Sequence, residues 1–237
     1  MKFKLLNIVF VLINIIIVSG IIFFHLKNAS KKFIFNEKNI QLPTSNFINN
    51  DFIKIKLLEN YDNLDSLDSD IETIYEIEEI LNQIPFIKKA NVYQTINSEL
   101  IIQVQEKKPV LNLLNHNYLL SENGLLIPKV DSINFKLKGF SGDIHPSNYK
   151  KLSNLINIIL EDDFLNDHIK YIFYDSLSFY LAVNIYDYRI ELGQLNNISE
   201  KLNNYKAFFA SKIGDESINE YSNLNLNFNK QVIAQKK

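Results

Sequence analysis

Side chains able to do chemistry are thinly spread along this chain of 237 residues. Four histidines, His25, His116, His145 and His168, stand far apart. None has the His-Glu-x-x-His or comparable spacing that brings two imidazoles onto one metal ion. His25 closes an apolar run, and the other three read as surface or loop residues. Cysteine is absent, which removes disulfides, thiolate catalysis and cysteine zinc sites. The acidic run Asp62, Asp65, Asp68, Asp70 and Glu72 lacks the glycine and the spacing of a calcium-binding EF-hand loop. Carboxylates ahead of a helix are favoured by its dipole in any case, so the run reads as a solvated face. Asp162-Asp163 could share acid and base work. With only six glycines and no nucleophile elbow, Walker loop or Gly-x-Gly-x-x-Gly, nothing marks a pocket for them. No catalytic, cofactor-binding or metal-ligating residue is expected, and no enzyme.

Bulk properties narrow the field further. A formal net charge of −2 gives no general attraction to nucleic acid. Arg189 is the single arginine, so bidentate contacts to phosphate or guanine are nearly unavailable. With 46% hydrophobic and 22% charged residues the chain can fill one or two packed cores. Leu5–Leu26 carries no charge over roughly 22 residues, about 33 Å as a helix. A cleaved leader would have an apolar core of ~7–15 residues and a small-residue cleavage site. Here the core is longer, and His25-Leu26-Lys27-Asn28 is a poor cleavage site. A transmembrane helix over residues 5–26 after a stub of residues 1–4 is therefore expected. Lysines flank it on both sides, so charge does not select its orientation.

The elements that follow are read from periodicity. Lys31–Leu42 could supply a first strand, and Pro43-Thr44-Ser45 breaks it. Phe52–Leu58 fits strand and helix alike, and a cap at Asn50-Asp51 favours a helix. Apolar residues at 71, 74, 77, 80, 81 and 84 predict a helix, with Ser69-x-x-Glu72 as its capping box and Pro85 ending it. Ala90 and Val92, then Leu100, Ile102 and Val104, alternate as two strands of a hairpin turning at Asn97-Ser98. Tyr118–Leu120 and Leu125–Ile127 form a second hairpin around Asn123-Gly124. Gly139, Gly142 and Pro146 mark a loop. Further on, Asn148–Leu160 and Asn197–Lys212 predict helices, and Ile169–Tyr174, Ser178–Tyr186 and Tyr188–Leu192 predict strands. Tyr221–Gln235 reads as one terminal strand, whose free edge would offer unpaired amides and carbonyls.

The order of a short stub, an apolar helix and then Pro85-Phe86-Ile87-Lys88-x-Ala90-x-Val92, followed by Leu100-x-Ile102-x-Val104-x-Glu106-x-x-Pro109-Val110, resembles the FtsQ (DivIB) family of bacterial cell-division proteins. Ile190-x-Leu192-Gly193, then Lys201-Leu202, agrees with the family's second half. Asn225-Leu226-Asn227-Phe228 stands where the family typically has Asp-Leu-Arg-Tyr, so both charges of that signature are lost and the ring remains. The resemblance implies an α+β protein: a POTRA domain (β-α-α-β-β) over residues 32–129, then a mixed α/β domain over 130–237 with an antiparallel sheet ending in an edge strand. It also implies a type II membrane anchor with the body outside the cytoplasmic membrane at the division septum. The function implied is a non-catalytic divisome scaffold binding FtsB- and FtsL-like partners by strand addition, without cofactors. Its partner-binding residues would be Leu224, Leu226, Asn227, Phe228, Lys230, Val232 and Ala234, with Lys201 and Tyr205 nearby. The alternative is a POTRA-type or β-jelly-roll envelope transport or chaperone component.

Overall fold

The computed structural model describes residues 12–24, 32–42, 47–131, 133, 135–175, 177–214, 216–228 and 230–237. The stub, both ends of the expected membrane helix, His25 and Pro43-Thr44-Ser45 lie outside them. Residues 12–24 form a helix, α1, exposed along its whole length. Among the described residues no helix is long and apolar enough to cross a membrane.

The chain divides into two compact units, Met1–Glu106 and Lys107–Lys237. The division falls before Pro109 rather than at the expected Lys129, because the Pro109 strand pairs with strands that come after it.

In the first unit α2 (Asn50–Leu58) starts because Asn49 Oδ1 accepts the Phe52 N–H at 2.8 Å. α3 (Ile71–Asn82) starts where Asp70 Oδ1 accepts the Thr73 N–H at 2.8 Å. Each cap lies one residue from the expected one, and Ser69 instead donates to Gln94 Oε1. The expected first strand shrinks to β1 (Ile40–Gln41) and isolated bridges at Lys32 and Ile34. β2 (Ile87–Gln94) and β3 (Leu100–Glu106) form the expected hairpin, with Ser98 at φ 63° in its turn. The sheet order is β1-β3-β2, with β1 parallel to β3. Ile53 and Leu57 of α2 and Ile77 and Leu81 of α3 are buried with Ala90 and Ile102 of the sheet.

Among the described residues the second unit holds nine strands. β4 (Pro109–Leu113), β5 (Tyr118–Ser121), β6 (Leu126–Pro128) and β7 (Lys138–Ser141) precede α4 (Tyr149–Glu161) and α5 (Asp163–His168). β8 (Ile169–Tyr174), β9 (Phe179–Val183) and β10 (Arg189–Gly193) lead into α6 (Ile198–Lys212), and β11 (Tyr221–Asn225) and β12 (Ile233–Lys236) close the chain. The order is β12-β11-β10-β9-β8-β7-β4-β5-β6. The sheet is mixed, not antiparallel as expected. α4 and α5 return the chain parallel from β7 to β8, and α6 does so from β10 to β11. β7 runs through the expected glycine loop. Gly139 suits that strand because a Cβ there would lie 2.9 Å from Leu114 Cδ1. Leu152, Leu155, Ile156 and Ile159 of α4 and Leu202 of α6 share one core with Leu181, Ile190, Leu192 and Leu224 of the sheet.

Gly193 ends β10 at φ +64°, and an added Cβ would fall 1.6 Å from Asn227 Oδ1. Gly193→Ala should destabilise this unit by about 1–3 kcal/mol through strain and the clash. Chemical unfolding of the full chain measures this, and a second change, Asn227→Ala, should recover the steric part only.

Candidate functional site

Where β10 gives way to α6, Asn197 adopts the left-handed region (φ 50°) and turns the chain off the sheet. Lys201, one turn into α6, points back into this corner. Its Nζ donates to Leu192 O at 2.7 Å, Gln194 O at 2.9 Å and Asn196 Oδ1 at 2.9 Å. All three donors are used on neutral oxygens, and burial lowers its pKa. Lys201 is thus an anchor of α6 rather than a surface cation.

Tyr205 is also internal. Its hydroxyl meets Tyr188 Oη at 2.7 Å and His168 Nε2 at 2.5 Å. Phe164, Tyr186 and Phe209 enclose the imidazole with rings centred 4.8, 5.7 and 4.9 Å away. Burial pushes both tyrosines up and the His168 imidazole down to about 4. His168, expected at the surface, is buried because it ends α5 where the chain passes beneath α6 into β8. His116 and His145 are local: His116 lies 4.0 Å from the Asp143 carboxylate, and His145 Nδ1 meets Ser147 Oγ. Asp162 caps α5 and pairs with Lys206 at 2.5 Å. Asp70 caps α3, and Asp68 pairs with Lys32 at 2.6 Å. Among the described residues no group of three or more histidines and carboxylates could hold a metal ion.

The expected terminal strand is two strands. β11 lies inside the sheet, parallel to β10 and antiparallel to β12. Leu224 and Leu226 are 0% and 2% exposed, and the Leu226 N–H donates to Glu191 O at 2.8 Å. Neither can face a partner. Asn227 donates its side-chain amide to Glu191 Oε1 at 3.2 Å and covers Gly193. Phe228 is 50% exposed, and Lys230 turns outward with φ 56°. Together with Asn204 and Glu200 of α6 they rim a cavity of about 110 Å³.

β12 is the outermost strand. Asn225 pairs with Ile233, Leu224 with Ala234 and Asn223 with Gln235, and the Lys237 N–H donates to Glu220 O at 2.9 Å. Antiparallel bonding alternates, so residues 233, 235 and 237 bond inward to β11. The amide and carbonyl of Ala234 and the amide of Lys236 then point to the open edge, while the Lys236 carbonyl accepts the Ser222 hydroxyl of β11 at 3.2 Å beside the register shift there. Val232 and Ala234 rest their side chains on the core cluster, while Ile233 is 46% exposed on the opposite face. Lys236 is held to Glu220 at 2.5 Å, which steadies the strand end. Ile233, Gln235 and Lys236 were not singled out from the sequence, although the alternating run Val232–Gln235 carried the signal.

Other edges are less available. β6 is three residues long and ends in Pro128, which has no N–H. On the outer side of β2 the Ala90 N–H already donates to Asn82 Oδ1 at 2.9 Å.

A family model described as FtsQ/DivIB, C-terminal related, matches residues 108–235, almost the whole second unit. No curated protein matches the chain.

The buried imidazole has a thermodynamic consequence. Its folded pKa of about 4 lies below the unfolded value near 6.5, so its contribution is fully present above pH ~6.5 and is lost as pH falls toward 4. The loss should reach about 3 kcal/mol. Urea unfolding of the full chain at pH 7 and pH 4 should show it, and His168→Phe should flatten the difference by that amount.

Proposed function

The chain belongs to the FtsQ/DivIB, C-terminal-related family, and on that premise we propose that it is a non-catalytic, membrane-anchored adaptor of bacterial cell division that takes up a partner strand along β12. The observation that carries this reading is the open edge of β12, where the amide and carbonyl of Ala234 and the amide of Lys236 face no neighbouring strand. Such an edge binds by β-augmentation: backbone hydrogen bonds supply affinity, and alternate side chains supply choice. The expected partners are FtsB- and FtsL-like bitopic proteins. Their contact would run over Phe228, Lys230, Val232, Ile233, Ala234 and Lys236, with Leu224, Leu226, Lys201 and Tyr205 supporting it from the core.

The first unit supports a POTRA reading through its element order, β1, α2, α3, β2, β3, and would serve recruitment to the division site. The exposed α1, apolar apart from Asn14 and Ser19, has the surface that an anchor helix presents to lipid. The jelly-roll alternative is disfavoured by a single large sheet packed with helices instead of a second sheet.

Ala234→Pro removes an outward donor without touching the bonds of residues 233 and 235 to β11. Binding of the full chain to the extracytoplasmic segment of the same bacterium's FtsB-like protein should weaken at least about 30-fold, roughly 2 kcal/mol. Unchanged affinity in a folded variant, measured by titration calorimetry, would sink the edge-strand reading.

A further inference from the structure

The sheet face turned away from the helices carries two cross-strand rows. Register places Tyr171, Ala182, Arg189, Asn223 and Gln235 side by side across β8, β9, β10, β11 and β12. The adjacent row is Phe173, Tyr180, Glu191, Asn225 and Ile233. None of these residues belongs to the core cluster beneath the helices. The rings form a continuous row: Tyr171 to Phe173 at 5.8 Å and tilted, then Phe173 to Tyr180 at 4.9 Å, stacked and nearly parallel. The only arginine of the chain closes it, its guanidinium 4.8 Å from the Tyr180 centroid.

Arg189 is fixed by that ring and by an Nε–H bond to Asn223 Oδ1 at 3.3 Å. Among the described residues neither it nor Lys170 has a carboxylate within ion-pair distance. Both line one groove of about 400 Å³ with Tyr171, Phe173, Tyr186 and Ser222. Asp187, the acidic residue at its rim, is itself paired with Lys237 at 3.6 Å. The groove therefore offers an aromatic wall and two uncompensated cations, one of them a pre-set fork for a carboxylate. Arginine and tyrosine are also the residue types on which protein interfaces concentrate their energy.

We propose that this groove receives an acidic segment of the same partner whose strand pairs with β12. Continuity favours that occupant, since the rows run without a break from the groove to Gln235 and Ile233 on β12. The proposal rests on the edge-strand reading for the identity of the partner, but not for the chemistry of the groove. Strand addition supplies affinity with little regard to sequence, and the Arg189 groove would supply the selection.

The test is a titration of the ¹⁵N-labelled full chain, in a membrane mimetic, with the extracytoplasmic segment of the same bacterium's FtsB-like protein. The amides of Ala182 and Arg189 should shift together with those of Ala234 and Lys236. Arg189→Gln should weaken binding about tenfold and flatten its salt dependence, Arg189→Glu should weaken it more, and amidating the segment's carboxylates should mimic Arg189→Gln. A purely structural role for Arg189 would leave the salt dependence unmoved. Shifts confined to the edge, with both Arg189 variants neutral and folded, overturn the groove and leave the edge reading intact. Shifts at the groove with the edge amides unmoved support the groove and overturn the edge reading. No shift anywhere, with the chain folded, overturns both.

Discussion

The parallel pairing of β10 with β11 is the constraint on which the second unit depends. Two antiparallel strands can be joined by a tight turn, whereas a parallel pair requires the chain to leave the sheet and come back. α6 makes that excursion, and it must be held on the sheet to do so. Lys201 ties its first turns to the β10 corner with three hydrogen bonds, and Tyr205 ties its middle to β10 and α5 through Tyr188 and His168. The chain then re-enters as β11 between β10 and the outside, and a second reversal lays β12 on the rim. Had the closing segment been one strand, Leu224 and Leu226 would have lain on the rim. The crossover places them in the core.

Buried polar groups do much of this positioning. An ammonium with no counter-charge is costly to bury, and Lys201 is tolerated because every donor meets a carbonyl oxygen in the corner it stabilises. The departures at the chain's end follow the same economy. Asn225 accepts the backbone N–H of Asn227 at 2.8 Å, and Asn227 donates to Glu191. Two neutral amides therefore close the turn locally. Gly193 belongs to the same arrangement, because its missing Cβ is the space Asn227 occupies. The Ile190-x-Leu192-Gly193 motif and the closing Asn-Leu-Asn-Phe thus form one packing unit.

A sheet covered by helices on one side leaves two kinds of surface for a partner, an edge and a face. The edge presents backbone, whose hydrogen bonding is the same for any sequence, and the face presents side chains, which differ from chain to chain. Here the two adjoin at β12: the outward amides of Ala234 and Lys236 lie beside the row that ends in Gln235 and begins in Tyr171. A family can keep one mode of association and vary its selectivity when backbone and side-chain recognition are separated in this way.

What the sequence by itself determined is local. Period-two runs placed β2, β3, β5, β6, β8, β9 and β10, helical spacing placed α3, α4 and α6, and ordered motifs identified the family, because each signal lies within a few residues of chain. Caps slipped by one residue where several of Asn49, Asn50, Asp51, Ser69 and Asp70 could accept the same amide. β7 was hidden by Gly139 and, just past its end, Gly142, whose small size answers neighbours far away in sequence, Leu114 and Tyr174. The positions of the residues nominated for a partner were half legible. Phe228, Lys230, Val232 and Ala234 stand at or beside the rim as nominated, while Leu224, Leu226, Lys201 and Tyr205 turned inward and Ile233, Gln235 and Lys236 went unnoticed. Only the tertiary structure decided which strand has an empty neighbour and which side of each strand meets helices. Edges and faces are properties of the pairing register between distant segments, and alternation along one strand is identical whether its outer neighbour is another strand or open space.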